Sequence, residues 1–386
     1  MATLASLTFS AVTIEFLPTG LLPEIARDLS VSQSQVGVLI TIFAATVVVS
    51  TAPLANLTRR VPRKPLVMVV LAVFVLSSVM SGLAPNYAPL VVARILGGLA
   101  HGLFWAVVGA YSGHLVDKRH LSRAVAFTAG GGTTAFVLGV PLGAAIGHAF
   151  GWRIAFLTMA AVIAVLAILA AWLLPPVKHL VPLLTGEIPV PLRKDSSIPG
   201  IILICAIVIA MMTAHNVLYT FIAPFLLGPV GVSSSSVALV LFLYGAASFI
   251  GLAIASVFAA RFPRGSLTFG LLAIALPVIA IGAFPGVPWI VFPALVIWSI
   301  GFGTAPPVLQ TRMLHTASAR VRDFASAYLT TSFNVGIGAG ALLGALLLAN
   351  VSIDVLPFVN AGLTLLALAI FLWGDWRLRR AAPRDA

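Results

Sequence analysis

The sequence predicts an all-α integral membrane protein with twelve spanning helices in two parallel six-helix pseudo-repeats. Three observations predict it. Of 386 residues, 60% are hydrophobic and only 8% are charged, far too little charge for a water-facing surface. The apolar residues fall into twelve runs, near 4–25, 35–57, 65–84, 88–112, 122–147, 152–174, 199–226, 233–258, 266–284, 288–310, 324–349 and 355–374, and about 20 apolar residues cross a bilayer as one helix. Finally, a shift of 201 residues lays the second half on the first without a gap. Pro23 falls on Pro224, Val31-Ser32 on Val232-Ser233, Arg60-Val61-Pro62-Arg63 on Arg261-Phe262-Pro263-Arg264, Gly102 on Gly303, His114 on His315, and Gly139 and Gly143 on Gly340 and Gly344.

The runs are apolar on all sides, unlike the alternating strands of a membrane barrel. The first is expected to be a retained helix: Met1-Ala2-Thr3-Leu4 lacks the basic region of a secretory signal. Basic residues follow the second run (Arg59, Arg60, Arg63, Lys64) and separate the fourth from the fifth (Lys118, Arg119, Arg123). They recur between the halves, after the eighth and tenth runs, and in the tail. In all, 19 of the 22 Lys and Arg residues occupy even-numbered gaps or the tail, while odd-numbered gaps hold only Arg27 and Arg153. The positive-inside rule then puts both termini in the cytoplasm and the chain in an inner or plasma membrane. It also accounts for the net charge of +12 as a topology signal, so no nucleic-acid partner is expected.

The stretch 175–198 carries Pro175-Pro176, Pro182, Pro189, Pro191 and Arg193-Lys194-Asp195. It reads as a cytoplasmic linker between an N-terminal bundle, 1–174, and a C-terminal bundle with a short basic tail, 199–386. Glycines recur every four residues in the fifth run (Gly139, Gly143, Gly147), the eleventh (Gly336, Gly340, Gly344) and the fourth (Gly98, Gly102). Such a stripe lets helices approach closely in lipid. Two readings are open: plain packing, or a gate where helices slide or bend. Pro141 favours bending, because proline leaves a carbonyl unpaired.

Several segments resemble the major facilitator superfamily, and within it the twelve-helix drug:proton antiporters, closest to exporters of sugars, nucleosides and chloramphenicol. They are Thr13-Ile14-Glu15-Phe16, Gly20 to Ala26, Arg94 to Gly102, Ser332-Phe333-Asn334-Val335-Gly336, and Gly139-Val140-Pro141-Leu142-Gly143. The last is similar to the antiporter motif of the fifth helix, with Val140 inserted between glycine and proline. The family's loop between helices two and three departs here. Ala55, Arg59 and Pro62 stand where glycine, aspartate and glycine are usual, while Arg60, Arg63 and Lys64 keep the basic part. The usual cytoplasmic charge relay lacks its acid here. The resemblance implies a central cavity lined by helices one and four and a role in proton coupling for Arg94.

Charged groups inside a membrane are costly, so each points to a cavity or a partner. Glu15 lies 11 residues beyond Leu4, about 16 Å along a helix and near mid-membrane. An apolar site penalises a charged carboxylate, while entering water or a nearby cation restores the charge; these are the needs of a proton carrier, or of a protonated structural Glu. Arg94 reads as an interfacial snorkel or as the tuning cation. His101, seven residues on, shares its face and serves as proton shuttle, substrate ligand or structural donor. Asn216 occupies the place of Glu15 in the second half, behind His215. Cavity candidates there are His215, Asn216, Tyr219, Trp298 and Asn334, with Tyr244 possible; aromatics give apolar contact and polar groups orientation. Arg59, Arg60, Arg63, Gly139, Pro141 and Gly143 are gating or motif candidates.

No phosphate-cradling Gly-x-x-x-x-Gly-Lys-Ser/Thr occurs, Cys205 is a lone cysteine, and the seven histidines lack paired zinc-ligand spacing. No cofactor or metal is expected, and the chain is not expected to be an enzyme. The expected function is alternating-access export of small amphipathic or polar compounds, such as drugs or sugars, by a monomer in exchange for protons. The alternatives are an uncoupled facilitator, a proton-coupled importer, or a non-transporting sensor.

Overall fold

The structure is a computed structural model. It describes residues 1–58, 60–114, 121–176, 195–259, 261–318 and 321–381, apart from the side chains at 109, 110, 112–114, 121–126, 129, 322, 323 and 378–381. Arg59 and most of the expected linker lie outside the described residues.

Twelve helices among the described residues are long and apolar enough to span a bilayer. They are α1 Ala2–Gly20, α2 Gln33–Leu57, α3 Arg63–Gly82, α4 Tyr87–His114, α5 running from Leu121 to Phe150, α6 Trp152–Leu173, α7 Ile198–Tyr219, α8 Ser234–Phe258, α9 Pro263–Ala283, α10 Pro288–Thr316, α11 Arg322–Asn350 and α12 Leu356–Ala381. Their outward faces carry exposed apolar side chains such as Val49, Leu76, Val165 and Leu276, as a hydrocarbon solvent requires. Trp172, Trp289, Trp373 and Trp376 stand exposed near helix ends, where indole rings suit the headgroup region.

The first and seventh runs are shorter than the sequence suggests. α1 stops at Gly20 and a short helix, Leu22–Asp28, follows; α7 stops at Tyr219, before Ile222–Leu227. The breaks sit at corresponding positions of the two repeats. Pro23 and Pro224 lie in the first turn of the new helices, where a missing N–H costs nothing.

α5 contains a π-helical turn, Ala135–Gly139, between Leu121–Thr134 and Val140–Phe150. The Val140 N–H reaches Ala135, five residues back, next to Pro141, which has no N–H to give. The residue inserted relative to the family motif is therefore the donor of the widened turn.

Contacts divide the chain into two compact units: the described parts of Met1–Leu183 with Thr220–Gly245, and those of Leu184–Tyr219 with Ala246–Ala386. In the first unit α1 packs on α5 and α6, and α3 on α4 and α6. The second repeats the pattern with α7 on α11 and α12, and α9 on α10 and α12. The glycine stripes are the packing seams. Side chains built on Gly139 and Gly143 would strike Thr13 and Leu17 of α1, and one on Gly147 would strike Leu21 just after it; on Gly336 and Gly340 they would strike Met212, Thr213 and Asn216 of α7. Gly98 and Gly102 seat α4 on Thr46 and Thr51 of α2.

Candidate functional site

The first unit holds a buried polar cluster where α1 meets α4. Glu15 is 4% exposed, Arg94 1% and His101 1%, and among the described residues Glu15 is the only buried carboxylate. The geometry starts from a proline. In a helix the Pro18 position would donate to the carbonyl of Ile14, but Pro18 has no N–H. The freed carbonyl accepts Nη1 of Arg94 at 2.9 Å, while Nη2 donates to the Glu15 carbonyl at 2.8 Å. The guanidinium lies over the Phe43 ring, 4.2 Å from its centroid. Ser77 of α3 donates to the Ala93 carbonyl at 2.8 Å and steadies that turn of α4. Arg94 is thus a bolt through α1 rather than a headgroup snorkel. It interacts with Glu15 through charge, while its hydrogen bonds go to backbone.

The Glu15 side chain turns to His101, whose Nε2 lies 3.5 Å from Oε2. Oε1 makes no hydrogen bond within the protein. Nε2 of His101 also accepts the indole N–H of Trp105 at 2.7 Å, and the imidazole is edged by Phe43 and Phe74 at centroid distances of 5.3 and 6.3 Å. Glu15, Arg94 and His101 therefore come together as one site. Trp105 and Phe43 complete it and were not singled out from the sequence. The spacing of Trp105, four residues after His101, was the available signal.

In the second unit His215 lies in an aromatic box. Its ring stacks on Phe302 at 3.6 Å and 10°, on Tyr219 at 4.8 Å and 23°, and tilts against Trp298 at 5.5 Å. His215, Tyr219 and Trp298 are united; Phe302, the repeat counterpart of His101, was missed. Asn216 and Asn334 each return an amide N–H to their own helix, to Met212 at 2.9 Å and Thr330 at 3.1 Å, and each leaves a buried Oδ1 without a hydrogen bond. Tyr244 is buried in the first unit. A groove of about 480 Å³ between α7 and α11, lined by Ile202, Cys205, Phe324, Tyr328 and Ser332 among others, includes none of the candidate residues.

Among the motif residues, Arg60 is exposed, and Arg63 opens α3 with its Nε buried. Gly139, Pro141 and Gly143 lie in and just beyond the π turn, at the α1 seam. The second unit carries an acid where the repeat counterpart is Leu174: Asp375 of α12 pairs with Arg264 at 3.3 Å and Arg312 at 3.0 Å. At the corresponding place in the first unit, Tyr111 donates to the Pro175 carbonyl.

The model of the Major Facilitator Superfamily matches residues 4–228 and again 202–386. A probable sugar efflux transporter of Helicobacter pylori (strain G27) is 31% identical over 356 residues, 92% of this chain and 90% of that protein. One of Pasteurella multocida (strain Pm70), also named a probable sugar efflux transporter, is 31% identical over 379 residues, 96% and 91% of the two chains. A bacterial homologue of the human lysosomal transporter Spinster, in an inward-facing, unoccupied conformation, superposes with a TM-score of 0.76 at 18% identity, covering 99% of this chain and 98% of that one; it shares the fold. With twelve spanning helices in two repeats and a family model matched in each half, the chain belongs to the Major Facilitator Superfamily and is a multi-pass membrane transporter, not an enzyme.

Proposed function

We propose that this transporter exports small hydroxyl-rich or amphipathic compounds, sugars foremost, in exchange for protons. One observation carries the reading: the only buried carboxylate among the described residues stands in α1 between a fixed cation and an imidazole, with one oxygen free of hydrogen bonds. A carboxyl group so placed can be a neutral acid or an anion facing Arg94, and a change in its access to water decides between them. Glu15 exchanges the proton, Arg94 holds the anion's countercharge in place, and His101 is the neighbour through which the proton passes or is sensed. The names of the relatives support sugars as cargo. His215, Asn216, Tyr219, Trp298 and Asn334 supply stacking faces and amide groups suited to a polyol with an apolar ring face. The basic loops support cytoplasmic termini in a cell membrane. The lipid bilayer is its environment, and the working unit is a monomer.

The test is transport by the purified protein in proteoliposomes with an imposed pH gradient. Labelled sugar is expected to accumulate against its own gradient when protons run the other way, and Glu15→Gln is expected to equilibrate sugar without accumulating it. Equilibration without accumulation, whatever the pH gradient, assigns the protein to the uncoupled class. Accumulation in the direction of proton flow makes it an importer.

A further inference from the structure

Two groups make opposite demands on one nitrogen. Nε2 of His101 accepts the indole N–H of Trp105 at 2.7 Å and stands 3.5 Å from Oε2 of Glu15. An imidazole nitrogen that accepts an N–H carries no proton, so His101 is neutral in this arrangement, with its proton on Nδ1. The Ala11 backbone also interacts with the ring. An ion pair between Glu15 and a cationic His101 needs a proton on Nε2. That proton and the Trp105 bond exclude each other.

The surroundings leave few other influences. Among the described residues the charged groups that act on His101 are Glu15 from α1 and Arg94 from its own helix. α2 and α3 bring the rings of Phe43 and Phe74 against it. Trp105 lies one turn along α4, its ring 6.1 Å from the imidazole and inclined at 63°. Phe104 meets the indole at 5.9 Å. Within the site, the indole N–H is thus the neutral donor that sets which imidazole nitrogen is free.

We infer that Trp105 is a positioning residue of the coupling site: its indole N–H reserves Nε2 of His101 as an acceptor, keeps the imidazole uncharged beside Glu15, and frees it for protonation only when the indole withdraws. The inference rests on Glu15 being the coupling acid. Under it, motion of α4 or of the Trp105 side chain decides whether a proton leaving Glu15 finds a second seat.

Trp105→Phe keeps the aromatic ring and removes the N–H. Nitrogen NMR of ¹⁵N-histidine-labelled protein in detergent reads the outcome, with the His101 signal assigned by its loss in His101→Phe. The wild type is expected to show a neutral ring protonated on Nδ1 with a hydrogen-bonded Nε2. Trp105→Phe is expected to lose that Nε2 signature and to bind a proton at His101 on the order of tenfold more tightly, the worth of one hydrogen bond to the neutral form. The pH profile of gradient-driven transport is expected to move to higher pH in Trp105→Phe, with no further shift when the change is made in a His101→Phe background. A wild-type ring protonated on Nε2, or identical His101 titrations in the two proteins, overturns the role of Trp105. The wild-type tautomer is read without Trp105→Phe, so a Trp105 variant that fails to fold leaves that arm of the test intact. Because the spectra involve no transport, a wild type that ignores pH gradients contradicts the coupling role of Glu15, while the spectra still decide what Trp105 does to His101.

Discussion

The two repeats share a skeleton and differ at four linked positions. Where the first unit has Glu15, Pro18, Arg94 and His101, the second has Asn216, Tyr219, Leu295 and Phe302. The differences are physically coupled. Pro18 frees the Ile14 carbonyl, and Arg94 fills it. Tyr219 has an N–H, so its counterpart carbonyl creates no vacancy for an arginine, and Leu295 occupies the place. With the cation gone, the acid has become an amide. Among the described residues the buried charges, Glu15 and Arg94, therefore form one interdependent set, and the second unit builds an aromatic box at the corresponding positions.

The largest effect follows from undoing that set. Arg94→Leu, which copies the second unit, leaves the Ile14 carbonyl and Glu15 without their donor and is expected to cost about 3 kcal/mol of stability, read by thermal unfolding in detergent. Adding Pro18→Ala supplies an N–H to the same carbonyl and is expected to return about 1 kcal/mol. A double variant no more stable than Arg94→Leu breaks the link between the proline and the arginine.

The seams come next. A methyl group on Gly340 meets the Thr213 backbone carbonyl at 2.5 Å and Asn216 Cβ at 2.8 Å, whereas the atoms nearest to one on Gly139 belong to the Thr13 side chain. Backbone yields less than a side chain, so Gly340→Ala is expected to cost about 2 kcal/mol and Gly139→Ala about 1 kcal/mol in the same assay. The reverse order would mean that the α1–α5 seam is the stiffer one.

The smallest effects lie at the ends of α6 and α12. Tyr111→Phe removes one neutral hydrogen bond and Asp375→Asn weakens two partly exposed ion pairs; each is expected to cost about 1 kcal/mol. They separate by salt. The Asp375 effect shrinks between low and high ionic strength and the Tyr111 effect does not.

Much of this was legible in the residues. Glu15, Arg94 and His101 announced themselves because a charge or an imidazole in a membrane-length apolar run has few inexpensive explanations, and the 201-residue repeat gave the architecture. The manner of their meeting was not legible. Reading Arg94 and Glu15 as opposite charges suggests a side-chain pair, yet the guanidinium goes to backbone, because the missing N–H of Pro18 four residues from Ile14 creates the stronger demand. Trp105, Phe43 and Phe302 were hidden for the opposite reason: an aromatic in an apolar helix looks like packing until its partner's position is known. Asp375 read as part of a basic tail, since the pairing of α12 with the starts of α9 and the end of α10 depends on tertiary contact. The breaks at Gly20 and Tyr219 were passed over because the hydrophobicity continues through them.

The central claim is that Glu15 changes its ionisation as cargo binds. The direct measurement is proton release on sugar addition to purified protein in weakly buffered detergent solution with a pH indicator. Wild-type protein is expected to release protons in proportion to sugar bound, and Glu15→Gln to bind sugar with no release. Equal release from both proteins would contradict the account.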